Sequence, residues 1–123
     1  MITESNNSTL LSNRTILIVS ATEVECAPIL RQITGCKTIS QGLFSGTLQN
    51  KPVEILICGI GSVNTTFRLT QTLMQRSYCR AISIGIAGSF TETVTIGETV
   101  QITEDCFADL GIDDKVAIEV VTH

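Results

Sequence analysis

The sequence predicts an α/β fold, a mixed, largely parallel sheet flanked by helices. Three observations predict it. Short apolar runs rich in β-branched residues, TILIVS (15–20), VEILIC (53–58) and the head of AISIGIAGSF (81–90), have the length and composition of strands buried on both faces. Each of them breaks into a loop of small or polar residues, and the first two loops run on into helical stretches. Between those two units stand short β runs punctuated by glycine, which fit an antiparallel hairpin. Strand, helix, strands, helix, strand is the order of an α/β sheet with crossover helices.

Taken in order, TILIVS passes through Ala21 into TEVECAPILRQI, where Thr22 and Glu25 have the T-x-x-E spacing of a capping box that starts a helix. Pro28 lies inside that helix, removes one backbone bond and is expected to kink it. From Lys37, KTIS and GLFSGTLQ form the hairpin, Asn50 to Pro52 turns, and VEILIC is the second core strand. In GIGSVNTTFRLTQTLMQRS a glycine turn opens a helix. There Val63, Phe67, Thr70 and Met74 recur at helical spacing beside Leu69 and Leu73, the face expected to pack on the sheet. AISI is the third core strand, and ETVQITED (98–105) is expected to be a fourth.

Composition narrows the function classes. At 123 residues, 43% hydrophobic and 16% charged, the chain can bury a core without disulfides or a structural metal. Eight basic residues against twelve acidic ones leave a net charge of −4 with no basic stripe, so no nucleic-acid partner is expected. No apolar run reaches the roughly 18 residues of a membrane span. Residues 1–14 lack the basic flank and apolar centre of a signal peptide and fit a disordered polar leader on a cytoplasmic protein. The remaining domain is expected over 15–123.

Five cysteines without a C-x-x-C pair, and a single histidine at His123, supply neither a zinc set nor a Ser-His or Cys-His pair. Reduced cysteines acting as small hydrophobes, no metal and no cofactor are the expectation. Gly59-Ile60-Gly61 invites a dinucleotide loop, but Asn64 occupies the third glycine position. FADLGIDD (107–114), with Asp109, Asp113 and Asp114, fits a solvated acidic loop rather than a calcium loop.

Ligands of open α/β sheets bind at the carboxyl ends of strands, here SATEVE, CGIGS and GIAGS. Glu25 has two readings. Spacing favours a helix cap reaching back to the Thr22 amide. Position at a strand-to-helix junction instead suits a carboxylate that deprotonates a water. Glu23 fits a solvated acid of the first turn.

ILIVSATEVECAPIL, VEILICGIGSVNTTFRLTQTL and AISIGIAGSFTETVTIGETVQITED, in this order and spacing, resemble the amino-terminal half of the nucleoside phosphorylase and nucleosidase superfamily. SATEVE is similar to the nucleosidase branch, and no arginine stands near the three strand ends in the sequence, so the resemblance implies hydrolysis rather than phosphorolysis. CFADLGIDD resembles futalosine hydrolase, the nucleosidase of the futalosine route to menaquinone.

The resemblance implies that Glu25 positions the attacking water, that Thr22 and Ile60 line the sugar and its 5′ substituent, and that Ala87 and Gly88 run beside the base. Ile86 stands where methylthioadenosine enzymes have serine. It further implies a purine nucleoside substrate, an oxocarbenium-like transition state, no cofactor, and a homo-oligomer when complete. Relatives are longer and supply a leaving-group acid from their second half, so the fold is expected to be incomplete at the carboxyl end. Alternatives are a methylthioadenosine/S-adenosylhomocysteine nucleosidase, or an inactive nucleoside-binding fragment.

Overall fold

The computed structural model describes residues 14–105 and, by their backbone, 107–113 and 118–121. The expected leader at 1–14 therefore lies outside the described residues apart from Arg14, as do Cys106, Asp114 and His123. Two compact units divide at Ala87 and Gly88.

The first unit holds β1 (Ile16–Ser20), α1 (Glu23–Leu30), β2 (Thr34–Ser40), β3 (Leu43–Leu48), β4 (Lys51–Ile57), α2 (Ser62–Gln75) and β5 (Arg80–Ser83). The strands form one sheet in the order β2-β3-β4-β1-β5. β1 pairs in parallel with both β4 and β5, and the other two pairings are antiparallel. The sheet is mixed, as expected, with its parallel part centred on β1.

Alternation along β1 and β4 sends their side chains to two cores. Leu17, Val19, Leu56 and Cys58 join Leu43 on one face, where Leu69 of α2 packs. Ile18, Val53 and Ile55 join Cys26 and Ile33 on the other, where Ile29 and Leu30 of α1 pack. A strand covered on both sides gains no benefit from a polar face, which is why these two runs are almost wholly apolar.

The α1 capping box is formed: the Glu25 amide donates to Thr22 Oγ1 at 3.4 Å, and the Thr22 amide donates to Glu25 Oε2 at 2.9 Å. The helix ends at Leu30, two residues beyond Pro28.

Several expectations need correction. The turn before β4 is centred on Gln49 and Asn50, both at positive φ, and Lys51 and Pro52 already belong to the strand. Pro52 is tolerated because β1 pairs with β4 only from Val53 onward, so no ladder bond on that side is lost. β5 is an edge strand with all four residues exposed, not a covered core strand. Residues 98–105 form no strand, although their alternation suggested one. A strand needs a partner edge for its backbone bonds, and a period of two does not provide one.

The largest correction concerns α2. Val63, Phe67 and Met74 are 81%, 61% and 82% exposed, while Thr72 is buried and Leu69 meets the core. Helix rotation follows its polar anchors. The Arg68 guanidinium donates to the Gln41 carbonyl, and Arg76, just past the last turn, forms an ion pair with Glu54. These bonds turn the 65-68-69-72 side of α2 to the sheet and the more apolar stripe outward.

Glu54 is buried within the apolar run of β4 and takes three donors, Arg76 Nε at 2.8 Å, Arg76 Nη2 and the Tyr78 hydroxyl. The sequence reading missed this cluster, although an acid inside VEILIC was its signal. Burial and the neighbouring Glu54 carboxylate push the Tyr78 phenol well above its usual range.

The second unit contains a two-stranded antiparallel sheet, β6 (Phe107–Asp113) with β7 (Ile118–Val121). FADLGID is thus a strand, not the expected acidic loop. Among the described residues no helix is long and apolar enough to cross a membrane.

Candidate functional site

β4, β1 and β5 lie side by side and run the same way, so their carboxyl ends meet at one edge. Backbone bonds continue past the strands and hold these ends together. Cys58 N donates to Ser20 O, Gly59 N to Ala21 O and Ile84 N to Val19 O, each at 2.9 Å. The loops that follow are therefore neighbours.

From β1 the chain delivers Thr22 as the N-cap and Glu25 in the first turn of α1. The Glu25 carboxylate is shared between two structures. Oε2 accepts from the Thr22 amide at 2.9 Å, the Thr22 hydroxyl at 2.8 Å and the Ser20 hydroxyl at 3.5 Å. Oε1 accepts from the amide of Ile86, just past β5, at 3.4 Å. Cap and crevice are thus not competing positions for this side chain. The Thr22 hydroxyl, then the Thr22 amide, hold the carboxyl below the ordinary glutamate range, so it is ionised at neutral pH.

From β4 comes Gly59-Ile60-Gly61. Gly59 and Gly61 have φ of +89° and +96°, which L side chains rarely adopt, and the turn they allow leaves Ile60 77% exposed ahead of α2. Asn64, where a dinucleotide loop would carry its third glycine, instead donates its side-chain amide to the Ile60 carbonyl at 2.8 Å. From β5 come Gly85, Ile86 and Ala87. Ile86 is 82% exposed, and a Cβ at Gly85 would lie 3.3 Å from Glu25 Oε1.

Thr22, Glu25, Ile60 and Ile86 thus lie on three adjoining strand ends, with Ala87 next in the chain. Gly88 opens the second unit, so it is not placed with them. Sequence reasoning missed Ser20, buried beneath Glu25, and Gly85. A hydroxyl closing the apolar run ILIVS was the available signal for the first. It also placed no arginine near the strand ends. The fold brings Arg68 to the β2–β3 turn beside Ile57, the last residue of β4, where the Gln41 carbonyl occupies its guanidinium. Cys26 and Cys58 are buried, and burial pushes their thiols up, whereas Cys36 and Cys79 are exposed.

Comparison with known proteins adds four findings. The model of the phosphorylase superfamily matches residues 15–119. A 5′-methylthioadenosine/S-adenosylhomocysteine nucleosidase from Maridesulfovibrio salexigens is 30% identical over 90 residues, covering 71% of this chain and 39% of its own. One from Anoxybacillus flavithermus is 31% identical over 100 residues, covering 79% and 43%. The crystal structure of a nucleosidase of the same name from Neisseria meningitidis, in complex with methylthio-immucillin-A, superimposes with a TM-score of 0.62 at 23% identity. It covers 69% of this chain and 38% of that one, and shows the shared fold. The chain thus spans about two-fifths of the length of the curated relatives it matches.

These findings overturn the expectation of futalosine hydrolysis and of a menaquinone role. The named relatives are methylthioadenosine/S-adenosylhomocysteine nucleosidases. Of the stretch that carried the expectation, CFADLGIDD, residues Phe107–Asp113 form β6 of the second unit.

Proposed function

Because the chain belongs to the phosphorylase superfamily through residues 15–119, we propose that it carries the water-activating part of a nucleosidase acting on 5′-methylthioadenosine or S-adenosylhomocysteine. One observation carries this reading: an ionised Glu25 carboxylate at the ends of β1 and β5, with Oε1 beside the Ile86 amide. The names of the relatives supply the substrate class.

In this reading a water hydrogen-bonded to Glu25 attacks the anomeric carbon of the ribose. Its proton passes to the carboxylate as the C–N bond breaks, and the bond's electron pair leaves with the base. Charge builds on the sugar before the new bond is complete, so an acceptor that is already ionised and already oriented lowers the barrier most. Thr22 and Ile60 line the sugar and its 5′ substituent, and Ile86 and Ala87 flank the base. Residues 15–123 form part of one such domain behind a polar leader at 1–14. The outward stripe of Val63, Phe67 and Met74 supports a homo-oligomer.

The test is to incubate the purified chain with methylthioadenosine, S-adenosylhomocysteine and inosine, with and without phosphate, and to separate free base by chromatography. Adenine released from either of the first two without phosphate is the expected result. Release that requires phosphate overturns hydrolysis. A second reading is a nucleoside binder without turnover. Adenine binding by calorimetry with no base release selects it.

A further inference from the structure

The two oxygens of Glu25 are not equivalent. Three donors converge on Oε2: the Thr22 amide at 2.9 Å, the Thr22 hydroxyl at 2.8 Å and the Ser20 hydroxyl at 3.5 Å. A carboxylate oxygen has two lone pairs, so three donors leave it no capacity for a further strong bond. Oε1 has one long contact, to the Ile86 amide at 3.4 Å. Beside it stands Gly85, whose missing side chain leaves free the space a Cβ would fill at 3.3 Å. Ser20 is 1% exposed, with its hydroxyl shared between the Thr22 carbonyl at 3.1 Å and Oε2, so its direction is set by the strand rather than by solvent.

We propose that Thr22 and Ser20 are positioning residues for Glu25: their hydroxyls commit Oε2 to the helix cap, which leaves Oε1 as the oxygen that takes the proton of the attacking water. This rests on the nucleosidase reading of Glu25. The step balances within the hydrolysis itself, with the water proton on Oε1, the water oxygen on the anomeric carbon and the base departing with the bond pair. The cap does the positioning without an added element. The Thr22 hydroxyl accepts from the Glu25 amide while it donates to Oε2, so the torsions of the side chain are held at both ends. Among the described residues, the titratable group that feels the Glu25 charge is the buried Cys26 on its own helix. From β1 and from the end of β5 it meets the Ser20 hydroxyl and the Ile86 amide, neither of which titrates.

The test titrates the Glu25 carboxyl carbon by NMR in wild type, Thr22→Ser, Thr22→Val and Ser20→Ala, and records the pH dependence of kcat on methylthioadenosine for the same proteins. Wild type and Thr22→Ser are expected to titrate below the ordinary value of 4.5, and Thr22→Val to move up toward it. Ser20→Ala moves in the same direction by a smaller step, because its contact is the longest. The acid limb of kcat follows the NMR midpoint in each protein. Thr22→Val loses about 10²-fold in kcat through misorientation, and Thr22→Ser recovers it.

A folded Thr22→Val whose Glu25 titrates and turns over like wild type overturns the proposal. If Thr22→Val does not fold, Ser20→Ala decides, since it leaves the helix cap intact. An unmoved midpoint there overturns the proposal, and a raised one supports it. A wild-type chain that releases no base defeats the nucleosidase reading, while the NMR titration still shows whether the two hydroxyls hold Oε2.

Discussion

Glu25 Oε1 lies 3.4 Å from the amide nitrogen of Ile86, a residue 61 positions further along the chain. That contact ties the first turn of α1 to the end of β5 and turns a capping side chain toward the edge where three strands end. Residues that the chain separates widely become one candidate site because β1 pairs with both β4 and β5.

Glu25→Gln keeps an acceptor for the Thr22 donors but removes the charge. We expect a folded protein, by circular dichroism, whose base release from methylthioadenosine falls by about 10² to 10⁴. A variant that matches wild type removes Glu25 from the mechanism.

The pH dependence follows from the lowered Glu25 value. A carboxyl whose folded pKa is depressed contributes stability above its unfolded pKa and loses it as pH falls through the folded one. Base release and the α1 cap are therefore both expected to persist through pH 4.5 and to fail below it. A pH-rate profile with a limb near pH 6 assigns the limiting group elsewhere.

Tyr78 is the single tyrosine of the chain, so alkaline absorbance reports on it alone. Its pKa is raised, so burial favours the neutral phenol, a contribution present below pH 10 and lost as pH rises through the folded value. We expect no phenolate absorbance at pH 10 until the protein unfolds. Arg76→Met leaves the buried Glu54 with the Tyr78 hydroxyl alone of its three donors and should lose about 1–3 kcal/mol in urea denaturation, without moving the Glu25 titration.

The orientation of α2 is checked by a pair of substitutions. Leu69→Ala should lower the urea midpoint at every protein concentration, by about 2 kcal/mol for a partly buried leucine. Phe67→Ser should stay within about 0.5 kcal/mol of wild type. In sedimentation it should shift the chain toward monomer at concentrations where wild type self-associates.

Much of the first unit was legible because its signals are local. ILIVS and VEILIC announce covered strands by apolar content, and Thr22 with Glu25 announces a helix start by spacing. The apolar stripe on α2 misled because periodicity marks a face without saying which way it turns. Likewise 98–105 had the alternation of a strand and no edge to pair with, whereas FADLGID found its partner in Ile118–Val121.

By itself the sequence determined the order of the elements of the first unit, the two core strands, the capped start of α1 and, through the spacing of its three motifs, membership of the phosphorylase superfamily. Backbone hydrogen bonding and side-chain periodicity act over a few residues, and they are written directly in the chain. Only the tertiary structure decided which side of α2 meets the sheet, that β5 is an edge, that Glu54 joins Arg76 and Tyr78, and that Glu25 Oε1 meets the Ile86 amide. Each of those depends on bonds between residues 22 to 64 positions apart, and such bonds exist only once the sheet has brought their partners within reach.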